Sequence, residues 1–172
     1  MATQTERLMR LNQALVERRD ICCSGGVVEA FPAILQKTFR MDYLGLVVCE
    51  QGSFQFTLDR KPFTAKAGET VFLSESTEFC AGTCTDDLRV DILFYRVDSI
   101  RELLGSSVVA MHLYATLTPE PCYVWATGEE EDIARYITLI SRYRHAADNP
   151  FGNHERKLLL LALTYRLCAI YS

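Results

Sequence analysis

Positive charge in excess is the first thing missing from this chain: 18 Lys and Arg stand against 22 Asp and Glu, for a formal charge of −4. Neutralising a row of phosphates needs the opposite balance, so the polypeptide by itself is a poor candidate for gripping DNA or RNA. Long apolar runs are missing too. The nearest, Lys157 to Tyr171, is interrupted by polar residues and falls short of the ~20 apolar residues of a membrane span. At the start, MATQTERLMRLNQALVERRD interleaves charges with Leu8, Leu11, Leu15 and Val16, where a signal peptide needs an unbroken apolar core. Residues 1–20 therefore read as a short amphipathic helix or arm, and a soluble, cytoplasmic protein with no membrane partner is expected.

Histidine is scarce, with His112, His145 and His154 the only three. No G-x-S-x-G elbow occurs, no histidine lies near a candidate Ser or Cys in sequence, and Gly25-Gly26 is too short for a phosphate-cradling loop. Nucleophilic and phosphoryl-transfer chemistry thus find little support. Cysteine is not scarce: the seven positions (Cys22, Cys23, Cys49, Cys80, Cys84, Cys122, Cys168) form an odd set with no export signal, which points to reduced thiols. Cys80-x3-Cys84 would chelate zinc only if two further ligands arrived from elsewhere. Cys49, near a strand end, is a candidate oxidant sensor, although small buried apolar residues are the plainer reading of most of these thiols.

With 172 residues and 49% hydrophobic content, the chain can bury one sizeable core, and one domain is the default. From Tyr43 to Val97 it runs in short β-branched and aromatic segments cut by turn residues. YLGLVVCE (Tyr43 to Glu50) is almost continuously apolar and suits a strand covered on both faces; Gln51-Gly52 then supplies a turn. SFQFTL (Ser53 to Leu58) alternates, with Phe54, Phe56 and Leu58 on one face. Asp59 to Pro62 is a second turn, Phe63 to Lys66 a strand, Ala67-Gly68-Glu69 a third turn, and Thr70 to Ser74 a further strand. A polar loop with Gly82, Asp86 and Asp87 leads into LRVDILFYRV (Leu88 to Val97), another clear strand. One or two strands are expected within Ile21 to Thr38, and a short helix in Asp98 to Leu104. Val108 to Trp125 is ambiguous.

The last third changes period. Thr127-Gly128-Glu129-Glu130 is a capping box, and a helix follows to Ala147 with Ile133, Tyr136, Ile137, Ile140 and Arg144 along one side. Asp148-Asn149-Pro150 stops it. A second helix starts between Phe151 and Asn153 and runs to Ile170 or the end, so the pair forms an antiparallel hairpin. Wound at 100° per residue, this second helix has two apolar arcs. Leu158, Leu161, Tyr165 and Cys168 make one; Leu159, Leu163, Leu167 and Ile170 make the other, the candidate dimer interface. A helix apolar on two sides needs two partners, and a second copy of the chain is the expected second partner.

Strand into Gly52, alternating strand, turn from Asp59 to Pro62, then AGETVFLS: this order resembles the cupin barrel. More narrowly, "YLGLVVCEQG" followed by "AGETVFLS" resembles the N-terminal effector domain of AraC-type bacterial transcription regulators, over roughly Ile21 to Ser172. The resemblance implies a mainly β fold with α: a cupin-like (double-stranded β-helix or jelly-roll) barrel over 21–126 followed by a helical dimerisation hairpin over 127–172. It implies a non-enzymatic domain that binds a small-molecule effector, forms a homodimer, and reaches DNA only through a C-terminal domain beyond this chain. Since the chain stops inside an apolar helix at Ile170-Tyr171-Ser172, an excised N-terminal fragment is the expectation.

Catalytic cupins hold a metal through two motifs. Counting from Gly68 places Ser74, Ser76, Phe79 and Thr83 where proline, glycine, histidine and asparagine belong; counting back from Gly52 places Gly45 where a glutamate belongs, with no histidine between Thr38 and Met41. No metal and no other cofactor is therefore expected. An effector pocket would draw on Phe54, Phe56, Tyr95 and Trp125, with Arg40 for an anionic group. The competing readings are a small isomerase-like cupin enzyme and a purely structural dimerisation module.

Overall fold

Turns fix the architecture from Leu44 to Tyr95. Gly52 and Gly68 sit at φ +76° and +80°, the left-handed region open to a residue without Cβ, and Asp59-Arg60 form a two-residue reversal with φ of 48° and 68°. The structure is a computed structural model describing residues 6, 9, 11, 13, 19–23, 28–29, 38–40, 42–75, 78–96, 98–104, 122–142 and 149–171. Its strands are β1 (Ile21–Cys23), β2 (Val28–Glu29), β3 (Phe39–Arg40), β4 (Leu44–Gln51), β5 (Ser53–Leu58), β6 (Lys61–Lys66), β7 (Glu69–Leu73), β8 (Glu78–Cys84), β9 (Arg89–Tyr95) and β10 (Cys122–Trp125). The helices are α1 (Asp98–Leu104), α2 (Glu130–Arg142) and α3 (Gly152–Tyr171).

All pairings are antiparallel. One sheet runs β1-β9-β4-β7-β10, with β2 also on β9; the other runs β3-β8-β5-β6. The turns at Gly52 and Gly68 carry the chain from one sheet to the other. The sheets face each other without closing on themselves, so the described strands form two open sheets where a closed barrel was expected. The polar loop expected ahead of Leu88 is corrected as well, because Glu78–Cys84 forms β8. Only Phe79 and Ala81 of β8 point to the core, which leaves too little apolar alternation for the period to show. At Gly82 an added Cβ would lie 3.0 Å from the Gln55 carbonyl, where the β5–β8 register shifts.

Strand alternation sorts side chains into two layers. Between the sheets lie Val47, Cys49, Phe54, Phe56, Leu58, Val71, Leu73, Phe79, Val90, Ile92 and Phe94, joined by Leu11 from near the N-terminus. On the far face of the larger sheet, Leu44, Leu46, Val48, Phe72, Leu93 and Tyr95 meet Ile133, Ile137 and Ile140 of α2 and Leu160, Leu163 and Leu167 of α3. This is why β4 reads as continuously apolar: both its faces are covered. Arg166 of α3 pairs with Glu129 at the start of α2 at 2.6 Å, which sets the helices antiparallel. Arg156, nearer the start of α3, donates to the Ile21 carbonyl at 3.1 Å and ties the hairpin to the sheet edge.

Candidate functional site

Phe54 and Phe56 lie where alternation puts them, wholly buried between the sheets. The Phe56 ring is 5.4 Å from Phe54, 5.5 Å from Phe63 and 5.6 Å from Phe79, so these aromatics pack on one another within the space expected to hold a ligand. The structure does not bring the other pocket candidates to them. Tyr95 points the opposite way, into the helix layer, because it is out of phase with Val90, Ile92 and Phe94 on β9. Arg40 is exposed on β3, in register with Glu78. Trp125 pairs through its backbone with Thr70, and its side chain lies outside the described residues.

The positions at which the cupin pattern requires metal ligands are sterically committed. A Cβ at Gly45 would come within 2.8 Å of the Phe94 ring and 3.1 Å of Leu73 Cβ, so a glutamate does not fit there. Phe79 is stacked in the core, Thr83 is exposed, and Ser76 lies outside the described residues. Among the described residues no group of three His, Cys, Asp or Glu is placed to hold a metal. Cys80 and Cys84 are free thiols, half-buried and exposed. Burial, reinforced by the negative charge of Glu69, pushes the Cys49 thiol up to about 11; a thiol so reluctant to ionise is a poor oxidant sensor.

The α2 cap forms as its sequence reads. Thr127 Oγ1 accepts from the Glu129 N–H at 2.8 Å and donates to Glu130 Oε1 at 2.8 Å, while Glu130 also accepts from the Thr127 N–H. Burial would raise the Glu130 carboxyl, but these hydrogen bonds, with those from the Glu130 and Gly128 backbone, hold it below its ordinary value.

Helix α3 is apolar over two arcs, but they do not divide into inner and outer as expected: Leu161 and Cys168 of the first pack against the helix-side core together with the second. Leu163 and Leu167, expected to face a partner, are fully buried under α2 and the larger sheet, and Leu159 and Ile170 pack against the same core. This correction has a physical reason. The leucine-rich arc fits the concavity between α2 and sheet, whereas Tyr165, on the opposite arc, carries a hydroxyl better left in water. The outward face holds Leu158 and Tyr165, each 44% exposed, with Ala162 and Ala169 exposed between and beyond them.

One groove escaped the sequence reading. A cavity of about 480 Å³ opens between α2 and the larger sheet, lined by Glu50, Asp91, Glu131, Ala134, Arg135, Thr138, Leu139 and Arg142. Asp91, on the helix side of β9, is 2% exposed. The signal was present: Asp91 interrupts the apolar phase that Leu93 and Tyr95 continue.

No family model and no curated protein matches the chain. Among solved structures it is similar to apo ToxT K231A from Vibrio cholerae, at 12% identity over 88% of this chain and 57% of that one, with a TM-score of 0.49. It is also similar to CuxR, an AraC-like transcriptional activator, at 14% identity over 81% and 48% of the two chains, TM-score 0.40. A third is EutQ of Clostridium difficile, at 20% identity over 49% and 63%, TM-score 0.35. The chain thus spans about half the length of the ToxT and CuxR chains it matches.

Proposed function

We propose that this chain is the effector-sensing and dimerisation domain of a transcription regulator, non-enzymatic in itself and acting on DNA through a C-terminal domain. The observation that carries the reading is the outward face of α3. Leu158, Ala162, Tyr165 and Ala169 recur at spacings of four, three and four, so large and small residues alternate along an exposed apolar stripe. Two copies laid antiparallel about a two-fold axis near Ala162 set Leu158 of each against Tyr165 of the other, with the alanines giving the backbones room to approach. An effector that favoured one arrangement of helix pair and partner would shift the population of dimers and so the spacing of the attached DNA-binding units.

The turns at Gly52 and Gly68, with the left-handed φ values that glycine accommodates, support the cupin-like pattern on which the regulator resemblance rests. The closed positions at Gly45 and Phe79 support a non-enzymatic reading over a metal-dependent cupin enzyme. A second reading, a purely structural dimerisation module, is favoured by one observation, the packing of Phe54, Phe56, Phe63 and Phe79 between the sheets.

Light scattering on the 172-residue chain tests the dimer. The mass should be that of two chains at micromolar concentration, and Leu158→Glu with Tyr165→Glu should halve it while leaving the far-UV dichroism intact. A monomeric parent chain overturns the proposal, and a dimer untouched by both substitutions moves the interface elsewhere.

A further inference from the structure

We draw no further inference here: the strongest candidate, the groove on the outer side of the helix pair lined by Asp132, Arg135, Tyr136, Leu139 and Arg166, has both its guanidinium groups already paired, Arg135 with Glu131 and Asp132 and Arg166 with Glu129, and nothing in the structure shows what covers it.

Discussion

The two hydrophobic layers of this molecule are built to different ends. Between the sheets the layer is rich in aromatics: Phe54, Phe56, Phe79 and Phe94 are wholly buried, and the Phe56 ring packs against Phe54 and Phe79. Between the larger sheet and the helices it is chiefly aliphatic, and its outer elements keep surfaces in reserve. Helix α3 turns apolar side chains to solvent as well as to the core, and α2 roofs a groove floored by a carboxylate. The first layer is committed to holding the fold. The second holds it and still leaves side chains at the surface, because a helix lying on a sheet contacts it along one stripe and leaves two others open.

The largest test of that contrast is Phe56→Ala, which removes a ring with three aromatic neighbours and should cost about 3–5 kcal/mol in urea denaturation. On the helix side, Leu139→Ala, at a residue 37% exposed, should stay within about 0.5 kcal/mol. Equal costs would erase the distinction. The sheet-to-sheet turns sharpen it next. A Cβ at Gly52 would meet Thr85 Oγ1 at 2.3 Å and Leu88 Cα at 3.0 Å, whereas one at Gly68 meets nothing within 4 Å. Gly52→Ala should therefore lose at least about 2 kcal/mol, strain and overpacking together, and Gly68→Ala only about 1 kcal/mol, from backbone strain alone.

Smallest is the α2 cap. Thr127→Ala should cost about 1 kcal/mol. Because Glu130 is held below its ordinary value in the folded chain, its contribution is complete above the unfolded glutamate value of ~4.3 and is lost as pH falls through the lower folded value. Glu130→Gln should flatten that part of the acid limb of stability, measured by urea titration across the pH range. An unchanged limb would place the acid sensitivity elsewhere.

How much of this was legible beforehand follows from how local each signal is. Turn residues, strand period and capping box are properties of a few consecutive residues. Ser53–Leu58 and Asp98–Leu104 accordingly have the ends their sequences suggest, and Thr127 caps α2 as its spacing implies. The strand Glu78–Cys84 was hidden because it pairs with β5 across an irregular register at Gly82, where Gln55 approaches closely, and has little apolar pattern of its own.

The candidate site was legible only in part. Phe54 and Phe56 were assigned the correct face, but nothing in their own strand says that Phe63 and Phe79 stack on the same ring. Asp91 was visible as an acid in an apolar strand, yet the cavity it lines is formed with Glu50 and α2, residues about 40 positions away in either direction along the chain.

By itself, then, the sequence determined that α3 is apolar on two sides, since a helix's arcs follow from its 3.6-residue turn. Which arc turns inward was decided only by the tertiary structure: Leu163 and Leu167 go in and Leu158 and Tyr165 stay out because the sheet and α2 present one concave surface. The shape of that surface is set by residues distant in the chain, which the period of one helix does not encode.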